Sequence, residues 1–304
     1  MKTLAMPAAV LSALSLLAAC GGGDDGASET PARTPPADTA PAPAPSPTPT
    51  PAPDPDPDPA PAPIGELLPS LSAPQPGSTA LVGNGSEGIW SSFGNATLVD
   101  GSGKFVSTAL LSVLGGTFQF SGSTWTLGSD TVVENGFVNL ATGSGTITPA
   151  NRLDGSYTTT PGGVSKTLAA IYDPANALAV EQSSISGSWK QNAFAMQIDD
   201  TGNLTGTYTS GTRVCDLKGT VVLATPASAK NLYVVDVEPS VSPQPGNTGC
   251  ALSTGVPHKG YAAIRFAPVD GAIVVNSNTR YLRTLLMVAR TGTGGYFMTQ
   301  MSRQ

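Results

Sequence analysis

Beyond residue 77 of this 304-residue chain, apolar side chains recur at every second position in short runs. Leu204, Gly206 and Tyr208 alternate with Thr205, Thr207 and Thr209, and Tyr233, Val235 and Val237 fall on one face of another run. The stretches Lys259–Phe266, Leu282–Arg290 and Tyr296–Met301 read similarly. A period of two places alternate side chains on opposite faces of a β-strand. Turn formers break the runs roughly every 8–12 residues, as expected of an all-β chain. Asp100-Gly101-Ser102-Gly103, Asp199-Asp200-Thr201-Gly202 and Thr291-Gly292-Thr293-Gly294-Gly295 are predicted hairpin turns, because Gly and Asp tolerate the required backbone angles. The expected elements are six to eight short antiparallel strands per unit. Open sheet edges invite aggregation, so each meander should close into a small barrel or pair as a sandwich.

The pattern repeats. Gly88-Ile89-Trp90 returns as Gly187-Ser188-Trp189, 99 residues later, and at that offset Ala96, Asp100, Gly103 and Thr108 meet identical residues. Six identities in 21 ungapped positions exceed the about one or two expected by chance, which argues for internal duplication. Further along, Phe118–Gly122 is set against Cys215–Gly219, Gly155–Tyr157 against the Lys259–Tyr261 region, and Thr167-Leu168 against Thr284-Leu285. The expected organisation is a signal peptide at 1–19, a disordered Pro-rich linker at 20–77, and two tandem β-units at 78–180 and 181–304. Trp90 and Trp189 anchor the repeats. A Gly-x-Trp opening a β-meander resembles the start of lipocalin-type barrels, which implies a Trp closing one barrel end and a cavity for a small apolar ligand. A Trp acting only as the core anchor of a small sheet is the simpler reading.

The amino end carries the most specific motif. Lys2 precedes an apolar stretch, Leu4–Leu17, which is shorter than the about 20 residues needed to span a bilayer. It ends in Leu17-Ala18-Ala19-Cys20, which resembles the lipobox of bacterial prolipoproteins. That resemblance implies cleavage before Cys20, a diacylglyceryl group on its thiol, and a further acyl chain such as palmitate on its amine. Gly21, rather than Asp, follows the cysteine, which by the same resemblance implies the outer membrane. Each buried CH2 contributes about 0.8 kcal/mol, so two or more chains hold a protein stably on a membrane. From Pro41 to Pro63 every second residue is proline, which favours an extended polyproline spacer. At about 3.1 Å per residue this run reaches on the order of 70 Å, against a bilayer of about 40–45 Å. Asp54, Asp56 and Asp58 make the spacer acidic. A lipid anchor, a stalk and two β-units also resemble, in layout, surface lipoproteins such as factor H-binding and transferrin-binding proteins.

Residues 71–304 hold 13 acidic and 13 basic side chains, so the body has neither a nucleic-acid nor a polybasic membrane surface. Residues 81–180 run 3 basic against 6 acidic and residues 181–304 run 10 against 7, a weak opposite charge. With Cys20 reserved for lipid, Cys215 and Cys250 are left as a pair, and export favours a disulfide between them. His258 is the sole histidine and is expected in a solvated turn, Val256-Pro257-His258-Lys259-Gly260. No Gly-x-Ser-x-Gly, phosphate-loop or His-Glu-x-x-His motif occurs. No catalytic residue, metal site or cofactor is therefore assigned. The expected function is a lipid-anchored envelope protein with a non-catalytic binding or structural body. Its partners are a membrane through the lipid and a protein, a polymer or a small apolar ligand. A lipocalin-like carrier is the first alternative and a carboxylate-dependent hydrolase the second.

Overall fold

The computed structural model describes residues 65–109, 111–224, 230–269 and 280–304. The signal sequence, the lipobox with Cys20 and the alternating-proline run lie outside these residues. The strands follow in chain order. β1 is Gly88–Ser92, β2 Asn95–Val99, β3 Lys104–Ala109, β4 Ser112–Ser121 and β5 Thr124–Leu127. β6 is Val132–Glu134, β7 Val138–Thr148, β8 Arg152–Thr160, β9 Ser165–Thr167 and β10 Ala170–Tyr172. The second set is β11 Gly187–Gln191, β12 Phe194–Ile198, β13 Asn203–Ser210, β14 Arg213–Leu223, β15 Tyr233–Val241, β16 His258–Pro268, β17 Tyr281–Arg290 and β18 Tyr296–Arg303.

Every strand pairs antiparallel with its neighbours, and each set closes on itself, giving two barrels in tandem. β11 to β18 close directly, β18 returning to β11. In the first barrel β5 and β6 share one position between β4 and β7. β9 and β10 share another beside β8, and β10 returns to β1. Each barrel thus has eight staves.

The duplication is visible bond by bond. The Trp90 indole donates to the Ser86 carbonyl at 2.9 Å and the Trp189 indole to the Ile185 carbonyl at 2.7 Å, four residues back in each case. The Asp100 carboxylate accepts from the Ser102 and Lys104 amides, and the Asp199 carboxylate from the Thr201 and Asn203 amides, all at 2.9 Å. Both turns are as the sequence predicts.

The correspondence further along differs from the sequence alignment. The Phe118 amide donates to the Gly103 carbonyl as the Val221 amide does to Gly202, so Phe118 matches Val221 and not Cys215. Gly155–Tyr157 lies on the seventh stave and matches β17, not β16. The alignment slips first at the β3–β4 hairpin, which ends at Ala109–Ser112 where its counterpart β13–β14 runs on to Ser210–Arg213, and further because β5 and β6 split one stave and a long loop separates β15 from β16.

Large side chains pack inside both barrels, and a pocket of about 560 Å³ opens at the end of the second, where Phe194, Tyr208 and Phe297 converge. In the first barrel Trp90 meets Tyr172 edge-on at 5.0 Å, Phe105 stacks on Phe118 at 4.1 Å, and Trp125 meets Phe118 edge-on at 5.2 Å. Trp125 lies against Gly145 and Gly155, where any side chain would collide with the indole. In the second barrel Trp189, Ile198, Leu217, Tyr233, Leu285 and Met287 are among the buried residues. Both anchor tryptophans are buried core residues.

Several strands do not alternate. Tyr261–Ile264, Thr284–Ala289 and Ala96–Val99 are buried at consecutive positions. Consecutive burial requires both faces of a strand to be covered. Ile89, Leu98, Val106 and Val113, on the outer face of the first barrel, join the same apolar cluster as Leu286 and Val288. The barrels therefore pack outer face to outer face.

The rim of this contact is ionic. Glu87 meets Lys230 at 3.3 Å, Asp173 meets Arg265 at 3.3 Å and Glu134 meets Arg290 at 2.7 Å. The acid comes from the first barrel and the base from the second each time, in line with the charge split seen in the sequence. Tyr261 of the second barrel also donates to the Asp100 carboxylate at 2.6 Å.

Packing begins ahead of residue 78. The Glu66 amide donates to the Tyr281 carbonyl at 2.9 Å, and the Glu66 carbonyl accepts from the Tyr281 amide at 2.8 Å. The Gln75 amide reaches the Ala177 carbonyl at 3.0 Å, and Ala80 is buried.

Candidate functional site

The first and last staves of each barrel meet along only two residue pairs. These are Trp90 with Tyr172 and Ser91 with Ile171 in the first barrel, and Trp189 with Arg303 and Lys190 with Ser302 in the second. β1 and β11 are five residues long, so the final stave overhangs them. In the second barrel the Gln191 side chain bridges the overhang, accepting from the Gln300 amide at 2.9 Å and the Thr299 hydroxyl at 2.8 Å. Its counterpart in the first barrel is the much shorter Ser92, and the seam there opens into a groove of about 590 Å³.

Local sequence builds the groove. Gly88 has φ +120°, and a side chain there would collide with Asn176. Asn176 can therefore clamp β1, accepting from the Ile89 amide at 2.9 Å and donating to the Ile89 carbonyl at 2.8 Å. Asp173 begins the short 3-10 turn Pro174–Ala177 and accepts from the Ala175 amide at 2.8 Å. Its second carboxylate oxygen accepts from the Ser91 hydroxyl and from Arg265. Arg265 also donates to the Ser91 hydroxyl at 3.0 Å, while its buried Nε has no hydrogen-bond partner among the described residues. One arginine of the second barrel is thus locked into the seam of the first.

The lips are apolar. Leu68, Ile171 and Phe266 line the groove beside Arg152, which is paired with Asp154. Phe93, at the tip of the β1–β2 hairpin, is 89% exposed. On its far side lies a second cavity of about 500 Å³, where Leu286 and Met298 face Thr108 and Gln191. An exposed aromatic flanked by two apolar hollows is what a docking surface presents.

The sequence-assigned residues lie elsewhere. Cys215 and Cys250 are disulfide-bonded with Cα atoms 4.8 Å apart, and the bond ties the β15–β16 loop to β14. The place of Cys215 in the first barrel is taken by Ser112, since Ala109 pairs with Ser112 as Tyr208 pairs with Cys215. Trp90 and Trp189 serve the cores. Neither touches the groove.

His258 is not in a solvated turn. It is fully buried as the first residue of β16, against the Phe297 ring at 5.6 Å. Burial lowers its pKa, against the opposing Val256 backbone and Glu134 charge, and neither ring nitrogen makes a well-formed hydrogen bond among the described residues. The turn reading failed because Pro257 ends the loop one residue earlier.

The buried carboxylates are held rather than poised. Fully buried Glu134 accepts from Arg290, from the Gly292 amide at 3.1 Å and from the Gly294 amide at 2.8 Å. Among the described residues no group of three His, Cys, Asp or Glu side chains could hold a metal ion. No described helix is long and apolar enough to cross a membrane.

Phe93 and Arg265 were missed from the sequence, though Phe93-Gly94 carried a signal. A large aromatic stands there at a turn position where polar residues are the rule. No family model, curated protein or solved structure matches the chain.

Proposed function

We propose that this protein is a lipid-anchored component of the bacterial cell envelope, held at the outer membrane through acyl chains on Cys20, with a non-catalytic body that binds a partner. The anchor rests on the Leu17-Ala18-Ala19-Cys20 motif, and the binding role on one observation above all: an apolar, arginine-floored groove with an exposed Phe93 at its lip, built where two fused barrels meet. The partner class that fits is an extended, amphipathic protein segment. The aromatic packing of Trp90, Phe105, Phe118 and Trp125 inside the first barrel argues against a lumen for small apolar ligands there. The engagement of Glu134, Asp173 and Asp100 in ion pairs, backbone bonds and turns argues against a carboxylate hydrolase.

Two measurements test the anchor. Intact-mass analysis of the mature protein should show an acylated amino-terminal Cys20, and Cys20→Ser should move the body from the membrane to the soluble fraction. An unmodified terminus, or unchanged fractionation of the variant, contradicts the proposal.

A further inference from the structure

Three loops build the pocket at the end of the second barrel. Gly136, at the tip of the β6–β7 hairpin, meets the β17–β18 turn, its amide donating to the Gly294 carbonyl at 3.0 Å. Side chains at Gly294 and Gly295 would collide with the Gly136 backbone and with Ser253, so glycine keeps this rim clear. Ala251-Leu252-Ser253, from the loop before β16, forms another wall. Inside, the Phe194 ring lies 4.6 Å from that of Tyr208 and 5.6 Å from that of Phe297. Phe137, 77% exposed, follows Gly136 at the rim.

This lining selects its ligand by elimination. Among the described residues no charged side chain lines the pocket, so a charged ligand would lose water there without gaining a counter-ion. Hydroxyls and glycine backbone stand among the rings, and neither the Tyr208 nor the Ser253 hydroxyl has a hydrogen-bond partner among the described residues. A wholly apolar ligand would strand these groups. A saccharide ring meets both demands. It can be neutral, its faces carry C–H groups that pack on aromatic rings, and its edge carries hydroxyls that both donate and accept. The volume, about 560 Å³, lies within the range of small-ligand pockets, about 300–1,000 Å³, and leaves room for a disaccharide.

The disulfide holds one of these walls. Residues 250–257 make no backbone–backbone hydrogen bond among the described residues. Cys250 is instead bonded to Cys215 on β14, and the Leu252 amide donates to the Cys250 Sγ at 3.4 Å. The three wall residues follow this bond directly, with Leu252 packed on the core.

We propose that the mouth of the second barrel binds a neutral saccharide, against a wall that the Cys215–Cys250 disulfide clips in place. The site is separate from the seam groove and independent of the anchor. The test uses the full chain carrying Cys20→Ser and saturation-transfer NMR. The probes are neutral hexoses, N-acetylhexosamines and their disaccharides, with glucuronate and glucosamine as charged comparisons and N-phenyl-1-naphthylamine as an apolar one. For a disaccharide that binds, its soluble polymer is titrated too, which separates a glycan terminus from a free sugar. Tyr208→Leu keeps apolar bulk but removes the ring and its hydroxyl, and Cys215→Ser/Cys250→Ser releases the wall. Tryptophan fluorescence monitors the fold of each variant. The expected result is transfer to at least one neutral sugar, with binding at least tenfold weaker in both variants. Transfer to no sugar overturns the proposal, as does uptake of the apolar probe alone, or a charged sugar bound as well as its neutral counterpart. Binding unchanged by Tyr208→Leu overturns the site, and binding unchanged without the disulfide overturns the clip.

Discussion

Two buried residues set the sharpest expectations. Glu134 is fully buried, and its charge is balanced by Arg290 and two backbone amides. Removing one partner of a buried pair strands the other, at a cost of about 3–5 kcal/mol. Arg290→Met should therefore lower unfolding free energy by about that amount, and Glu134→Gln/Arg290→Met together by less than the sum of the two single changes, measured in a double-mutant cycle. His258 gives a pH dependence with a definite sign. Its folded pKa lies below the ordinary 6.5, so below that pH the unfolded chain binds the proton that the folded one refuses. Stability present at neutral pH should be lost as pH falls below about 6.5 toward the lower folded pKa. In His258→Leu the Tm should lose that part of its pH slope; an identical slope in both proteins would refute the assignment. Neither environment was legible in the sequence. Pro257 disguised a strand start as a turn, and the partner of Glu134 lies 156 residues away.

At the scale of elements, much could be read in advance. The alternation of Leu204, Gly206 and Tyr208, the Asp100 and Asp199 turns, and the duplication all concern neighbours in sequence or an offset of 99. Where physics is non-local, reading stopped. β16 and β17, read from the sequence as alternating strands, are buried at consecutive positions because the other barrel covers their outer faces. The longer β13–β14 hairpin threw the repeat out of register from β4 onward, and the split stave of β5 and β6 compounded it. The groove depends on Ser92 being too short to do what Gln191 does, a comparison that only the strand pairing exposes. The disulfide belongs to this scale as well. It closes a loop across 35 residues, worth about 3–4 kcal/mol on the chain-entropy account. Cys215→Ser/Cys250→Ser should lose roughly that stability, with faster hydrogen exchange concentrated in residues 242–257; loss spread evenly over both barrels would contradict a local staple.

At the scale of the whole molecule, duplication has produced asymmetry. The first barrel uses the outer face of β1–β4 and the second the outer face of β16–β17, so the contact is head-to-tail. Head-to-tail contacts between like units propagate unless something stops them. The second barrel's counterpart of the first barrel's contact face carries Ser188, Lys190, Gln197 and Thr205, all exposed, so that face offers no like apolar contact. The shared apolar face and its one-way ion pairs make the barrels one body, and the groove exists only because they are joined: Arg265 comes from one barrel and Phe93 and Asp173 from the other.

That union is tested most directly by denaturant unfolding of the chain with residue-resolved hydrogen exchange. Barrel-core amides, such as Leu114 in the first and Val235 in the second, should lose protection together in one transition, and Val288→Asp at the contact should shift both. A first barrel that unfolds while the second stays protected would show two independent domains and contradict the account.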